Sequence, residues 1–165
     1  MCIFYHVSNL DLEEGRIFTI NDFEGDCTYD HLNRPEAQQS INIQMDECRP
    51  NSVLSRMKCI YVFDNLAHSK VYARSIHQER IYEVRCDGTV CGPYPMTLVN
   101  TALRCGNDRL PEVLREYWNS TQNWKVHEYL ADSITIIRSI PLANGGNIID
   151  DFIDDIQLSR RIFNV

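Results

Sequence analysis

Hydrophobic and polar positions along this chain follow two different periods, which predicts a mixture of strands and helices. Short apolar runs at residues 2–7, 59–63 and 126–131 have the length of β-strands. Apolar residues recur at helical spacing at residues 65–76 and 111–118. Because strands and helices are interspersed with short polar turns, this order favours a single α+β domain.

The remaining strands and helices are predicted from weaker patterns. We expect residues 134–140 to pair with residues 126–131, because only Asp132 and Ser133 separate the two apolar runs. The other predicted elements are a short strand at residues 16–20, a helix at residues 35–48 and a strand at residues 80–85.

A different pattern follows Asn144-Gly145-Gly146 near the end of the chain. Apolar residues recur there at helical spacing, and four aspartates fill the other face. We therefore divide the single domain into a core at residues 1–143 and an amphipathic acidic tail at residues 147–165. This tail either docks on the sheet with a solvated acidic face or contacts a basic partner. Its apolar positions are Ile148, Ile149, Phe152, Ile153 and Ile156, and its acidic positions are Asp150, Asp151, Asp154 and Asp155.

The segment KCIYVFDNLAHSKVYARS, residues 58–75, carries the main candidate chemistry. It is predicted as a strand that runs into a helix, with Asp64 at the helix N-cap. Tyr61 and Tyr72 lie on either side of the turn, and Ser69 shares the helix face of Tyr72. Two aromatic rings in this arrangement favour a site that holds a flat ligand, although tyrosines are also common core residues.

Two other segments place polar residues beside apolar strands. His6, Val7 and Ser8 end the apolar start of the chain, and Glu128 interrupts the apolar run at residues 126–131. A lone histidine in this position is usually a hydrogen-bonded structural residue. A buried carboxylate costs free energy unless it is paired, so Glu128 is expected to have a partner and a function.

Taken in the order His, Tyr, Glu, these segments resemble ADP-ribosyltransferases of the His-Tyr-Glu type, which include poly(ADP-ribose) polymerases and diphtheria-toxin-like enzymes. Residues 60–64 are similar to the family's G-I-Y-F-A-D strand, which enters a helix ending in S-A-N-Y. Residues 6–8 are similar to its H-G-S, and residues 126–137 to its N-E-Y-I-V-Y-D strand. The resemblance implies split antiparallel β-sheets around an NAD cleft with flanking helices, NAD as co-substrate and no metal.

The resemblance also implies a role for each residue. Glu128 is placed beside the nicotinamide ribose, where a carboxylate stabilises the oxocarbenium-like transition state. His6 is expected to bind the adenosine ribose, and Ser69 to bind the nicotinamide amide. Tyr61 and Tyr72 are expected to stack on the nicotinamide ring. The candidate catalytic residues are therefore Glu128, His6 and Tyr61, and the candidate NAD-binding residues are His6, Val7, Ser8, Tyr61, Ser69 and Tyr72.

The implied activity is mono-ADP-ribosyl transfer, as in small bacterial or phage toxins and effectors. Val126 stands where arginine-modifying relatives have Glu or Gln, so we expect a protein acceptor other than arginine, such as Thr, Ser or an acidic side chain. Val7 replaces the family's Gly, which either crowds the amide pocket or reflects an edge strand with room. The alternatives are transfer to nucleic acid, NAD hydrolysis, and an inactive fold that binds a partner. An antitoxin or immunity protein is a further expected partner.

Composition narrows the possible functions of the protein and its expected compartment. A formal net charge of -7 without a basic stripe disfavours general nucleic-acid binding. No apolar run approaches the roughly 20 residues that cross a bilayer, and no secretory signal is present, so we expect a protein of the bacterial or host cytosol. The seven cysteines lack C-x-x-C or zinc-site spacing and are expected to be reduced thiols. A thiol hydrolase is the rival enzyme, but no local motif selects a cysteine and histidine pair.

Overall fold

The computed structural model describes residues 2–23, 35–142 and 150–165. Within those residues the chain forms seven β-strands and five α-helices, which confirms the predicted α+β class. No helix in these ranges is long and apolar enough to cross a membrane. In chain order the elements are β1 (Phe4–Ser8), β2 (Ile17–Thr19), α1 (Glu36–Glu47), β3 (Ile60–Val62), α2 (Leu66–Ser75), β4 (Arg80–Cys86), β5 (Val90–Pro95), α3 (Thr97–Arg104), α4 (Leu110–Trp118), β6 (His127–Ala131), β7 (Ser133–Pro141) and α5 (Asp150–Phe163).

The strands form two antiparallel sheets that are joined at one edge. One sheet has four strands in the order β1-β4-β7-β2, and the other has three in the order β3-β6-β5. The edge strands β1 and β3 are bridged between Tyr5 and Phe63. The Tyr5 amide donates to the Phe63 carbonyl at 2.8 Å, and the Phe63 amide donates to the Tyr5 carbonyl at 2.9 Å. This bridge brings the His6 segment next to Tyr61.

Alternation along β3 and β6 gives the three-stranded sheet two different faces. Ile60, Val62 and Ala131 pack against the four-stranded sheet in one apolar core. Tyr61 and Leu130 face the other way, into a second core formed with α1, α3, α4 and α5. Helix α2 packs separately on the four-stranded sheet. The side of the three-stranded sheet that faces the helices carries the candidate site.

The predicted helices at residues 35–48, 65–76 and 111–118 are confirmed with small shifts in their ends. The N-cap of α2, however, is Asn65 and not Asp64. The Asn65 backbone is extended, and its side chain accepts hydrogen bonds from the amides of the second and third helical residues at 2.8 and 3.3 Å. Asp64 instead accepts a hydrogen bond from the Tyr129 hydroxyl at 2.9 Å.

The predicted pairing of β6 with β7 is wrong. Strand β6 pairs with β3 and β5, whereas β7 pairs with β2 and β4 in the other sheet. The chain changes sheets at Asp132, whose amide donates to the Thr89 carbonyl and whose carboxylate accepts from the Thr89 amide. A Cβ at Gly88 would lie 2.1 Å from the Asp132 carboxylate, so this crossing requires glycine there.

Strand β5 and helix α3 were not predicted. The strand contains Gly92 and Pro93, residues that normally disfavour a strand interior. They lie where the register against β6 shifts between Cys91 and Tyr94, and Gly92 has a φ of 139°. The bulge therefore tolerates both residues, and the register after it places Tyr94 opposite Glu128.

Helix α5 packs against the rest of the domain with a different face from the one that the sequence pattern predicts. Ile153 and Ile156 are 40% and 42% exposed, whereas Asp155 is 1% exposed. The Asp155 carboxylate accepts hydrogen bonds from the backbone amides of Lys125 and Val126, both at 2.9 Å. The predicted division into an apolar buried face and an acidic solvated face is therefore wrong at these positions, because two backbone donors need an acceptor. Residues 143–149, which include the predicted start of the tail, lie outside the described residues.

We predict that Asp155→Ala lowers the free energy of unfolding by about 2–4 kcal/mol, because it leaves two backbone amides without an acceptor. Urea denaturation measures the change. The matched control is Asp154→Ala, which removes only the exposed ion pair with Lys125 and should cost less than about 1 kcal/mol. Equal losses in the two variants would contradict this role of Asp155.

Candidate active site

A cavity of about 320 Å³ lies on the helix side of the three-stranded sheet. This size falls within the range of small-molecule pockets. Three of the predicted site residues, Tyr61, Tyr72 and Glu128, line it together although they are distant in sequence. Within the described ranges its other polar lining residues are Gln38, Asn42, Arg56, Ser75 and Asn100.

Glu128 is a buried carboxylate with one oxygen held by the protein. Antiparallel pairing puts it on the same face of the sheet as Leu130 and Tyr61. The Tyr117 hydroxyl donates to Glu128 Oε1 at 2.7 Å, and Arg56 Nη1 forms an ion pair with the same oxygen. No described residue donates to Oε2. Because Glu128 lines the cavity, Oε2 is the oxygen available to a ligand.

Arg56 is the partner that a buried glutamate requires. It lies in the 3₁₀ turn Arg56–Lys58, directly before β3, and is 6% exposed. Burial is the largest effect and opposes the charge of Arg56, but the Glu128 carboxylate, Tyr117 and Tyr61 together outweigh it and raise the pKa of Arg56 well above its ordinary value. The Asp46 carboxylate accepts from the Arg56 amide at 3.1 Å. Arg56 is therefore a fixed cation in the wall of the cavity.

The rings of Tyr61 and Tyr117 hold the Arg56 side chain. The guanidinium carbon lies 5.0 Å from the centroid of each ring. Burial raises the pKa of Tyr117 well above its ordinary value; the Arg56 charge opposes this shift and Glu128 adds to it. Tyr117 consequently remains protonated and able to donate to Glu128.

Tyr72 presents a second aromatic surface to the cavity from helix α2. Its ring packs on Phe63, with centroids 5.0 Å apart and an angle of 45° between the planes. Phe63 is buried and belongs to the bridge between the two sheets. Both tyrosines of the predicted platform thus contact buried neighbours, and both remain part of the cavity lining.

The remaining predicted site residues are buried and are not among the described residues that line the cavity: His6, Val7, Ser8 and Ser69. His6 Nδ1 is hydrogen-bonded to the Tyr61 carbonyl at 2.9 Å. The Ser69 hydroxyl donates to the Leu66 carbonyl of its own helix at 2.8 Å. In this structure His6 supports the cavity through the backbone of β3.

The polar run at residues 119–123 forms a turn around Glu116. Glu116 Oε1 accepts from the amides of Thr121 and Gln122 and from Trp124 Nε1, at 2.9, 3.0 and 2.9 Å. Burial alone would raise the pKa of Glu116, but these hydrogen bonds outweigh it and lower the pKa. Sequence reasoning missed Glu116 because its position on a helix suggests an ordinary surface carboxylate.

Two of the cysteines are buried in surroundings that suppress the reactivity of their thiols. Burial raises the pKa of Cys59 and of Cys86 to about 12, so these thiols stay protonated and are poor nucleophiles at neutral pH. Among the described residues, no three His, Cys, Asp or Glu side chains form a group that could hold a metal ion.

No protein-family model matches this chain, and no curated protein matches its sequence. The assignment of Tyr61, Tyr72 and Glu128 to an NAD site therefore depends on the sequence motifs and on the cavity that joins them.

We predict that Glu116→Gln destabilises the protein at neutral pH and that the difference from wild type shrinks on acidification. A carboxyl with a lowered pKa in the folded state stabilises it above its ordinary pKa, here 4.5, and loses this contribution as the pH falls through the lower folded value. Chemical denaturation at several pH values tests this. Glu112→Gln, at an exposed position on the same helix, is the control and should show no comparable trend. A pH-independent difference for Glu116→Gln would contradict the assignment.

Proposed function

We propose that the chain is an NAD-dependent mono-ADP-ribosyltransferase that modifies a protein acceptor. The observation that carries this proposal is the Glu128 carboxylate, which is buried, tethered through Oε1 and open to the cavity through Oε2. The Tyr61 and Tyr72 rings line the same cavity. The two antiparallel sheets joined between β1 and β3 are consistent with the split-sheet fold that the sequence motifs imply. In this proposal NAD lies between the aromatic rings and the carboxylate.

Glu128 would act by stabilising positive charge. Cleavage of the nicotinamide–ribose bond leaves the bonding electrons on nicotinamide and develops positive charge at the anomeric carbon. An ionised carboxylate beside the ribose stabilises this charge more in the transition state than in the ground state. Glu128 Oε2 can accept a hydrogen bond from a ribose hydroxyl, while Tyr61 and Tyr72 can orient the nicotinamide ring. The acceptor oxygen then bonds to the anomeric carbon. A hydroxyl acceptor releases its proton to water in this step, whereas an ionised carboxylate acceptor has no proton to release.

The surroundings of Val126 support an acceptor other than arginine. Its side chain is fully buried, and its amide is hydrogen-bonded to Asp155. It therefore presents no polar group to a guanidinium. We propose a hydroxyl or carboxylate of a protein as the acceptor and, by resemblance to small bacterial toxins and effectors, a cytosolic site of action and an antitoxin partner.

We predict that Glu128→Gln reduces nicotinamide release from NAD by at least about 100-fold, because a transition-state charge is lost. Release is measured by chromatography, and label from NAD is followed into protein, nucleic acid and free ADP-ribose. These three products distinguish the proposed activity from transfer to nucleic acid and from hydrolysis. The matched control is Glu116→Gln, a buried glutamate that does not line the cavity; this variant is less stable, but its folded form should retain turnover. Near-normal turnover by folded Glu128→Gln would refute the assignment.

We also predict that Tyr72→Ala weakens binding of nicotinamide or NAD by about 1–2 kcal/mol, whereas Tyr72→Phe has little effect, because stacking needs the ring. Isothermal titration calorimetry measures the affinities. If the two variants bind equally weakly, the hydroxyl of Tyr72 and not its ring contributes the affinity.

An inactive fold that binds a partner is the second candidate function. The observation that favours it is the Arg56 ion pair, which already neutralises the Glu128 carboxylate. This alternative predicts ligand binding by the wild-type protein without nicotinamide release under any condition that preserves the fold. Turnover that depends on Glu128 would exclude it.

A further inference from the structure

Arg56 has hydrogen-bonding capacity that the protein does not use. Its Nη1 is directed to Glu128 and Tyr117. Neither Nε nor Nη2 has an acceptor among the described residues, and Nε is enclosed by protein. A guanidinium offers five N–H donors, and buried donors without an acceptor are rare in folded proteins. The unused donors belong to a side chain that lines the cavity.

The geometry of Arg56 suits an anionic oxygen. Nη2, unlike Nε, is not enclosed by protein, so it is the unused nitrogen that can donate to a ligand. Hydrogen bonds from a guanidinium to phosphate or carboxylate oxygens are charge-assisted and strong. The rings of Tyr61 and Tyr117, each centred 5.0 Å from the guanidinium carbon, fix the orientation of the guanidinium plane. Nη2 is therefore preorganised before any ligand binds.

The charges that line the cavity also favour a ligand with an anionic phosphate group. Among the described lining residues, Arg56 is the only cation and Glu128 is the only anion. A ligand that carries a diphosphate would be repelled by Glu128 unless a cation lay close to both groups. Arg56 is the group that can satisfy this condition.

We propose that Arg56 is a ligand-binding residue that holds a phosphate oxygen of the NAD diphosphate, while its Nη1 positions Glu128. This inference rests on the proposed function, because it assigns the phosphate to the ADP-ribose half of NAD. It predicts that affinity for ADP-ribose depends on Arg56, whereas affinity for nicotinamide does not.

Calorimetric titration of ADP-ribose and of nicotinamide tests this assignment. The double variant Arg56→Gln with Glu128→Gln is compared with Glu128→Gln alone, so that the two proteins differ only at residue 56 and the double variant contains no unpaired Glu128 carboxylate. Because Glu128→Gln alone leaves Arg56 without its anion, circular dichroism first verifies that this variant is folded. We expect the double variant to bind ADP-ribose about 10–100-fold more weakly, the scale of a lost charged hydrogen bond. Nicotinamide affinity should be the same in both. In the same Glu128→Gln background, Arg56→Lys keeps the positive charge but loses the planar guanidinium. This variant should lose less ADP-ribose affinity than Arg56→Gln.

Arg138→Gln in the Glu128→Gln background is the matched control, because Arg138 is an exposed arginine that pairs with Glu83 and is not among the described residues that line the cavity. The ADP-ribose affinity of this control should be unchanged. The inference is overturned if the Arg56 change has no effect, if the Arg138 control loses as much affinity, if nicotinamide affinity falls equally, or if the wild-type protein does not bind ADP-ribose. Binding through Arg56 without nicotinamide release by the wild type would support the inference and refute the transferase proposal.

Discussion

The buried ion pair between Arg56 and Glu128 is the interaction on which the site depends. Both side chains are almost fully removed from water, where either charge alone would be costly. Removing one partner of such a pair typically costs about 3–5 kcal/mol, because it leaves the other charge uncompensated. The pair joins the turn before β3 to β6, and Tyr117 adds α4 through the same carboxylate oxygen. The cavity wall can therefore form only when the sheet and the helices are assembled together.

Helix α5, at the end of the described chain, also contacts the elements that position the site. Asp155 holds the backbone amides of Lys125 and Val126, immediately before the strand that carries Glu128. Asp151 is 2.9 Å from the ring of His68, which lies on α2, the helix of Tyr72. A segment that its sequence pattern marks as an acidic tail thus contacts two of the elements that bear the site. Its aspartates act through specific geometry and not through a general negative charge.

The sequence singles out Tyr61, Tyr72 and Glu128, because each lies in a segment with a clear period or breaks one, and the structure places all three in the lining of one cavity. It was insufficient for Arg56, which lies in a short 3₁₀ turn with no periodicity and meets Glu128 across 72 residues. A buried glutamate indicates that a cation is required, but it does not indicate which of the chain's many basic residues supplies it.

Two other failures have the same origin in non-local contacts. A period of two identifies β6 and β7 as strands, but it carries no information about which strand lies beside each one. A helical wheel likewise assigns Asp155 to the solvent, because it counts side chains and ignores the unpaired backbone amides of other elements. In both cases the local preference was read correctly, and the tertiary contact decided the outcome.

A cation beside the proposed catalytic carboxylate, Glu128, creates a conflict that the geometry can reduce. Only an ionised carboxylate stabilises positive charge on a ribose, and a buried carboxylate needs a counter-charge, which Arg56 supplies. The same charge, however, screens the carboxylate from the ligand. Because Arg56 and Tyr117 both contact Oε1, Oε2 remains directed to the cavity. If Arg56 Nη2 binds a phosphate, the charge of the guanidinium is shared between two anions. Ligand binding would then leave Glu128 less neutralised at the step that needs its charge.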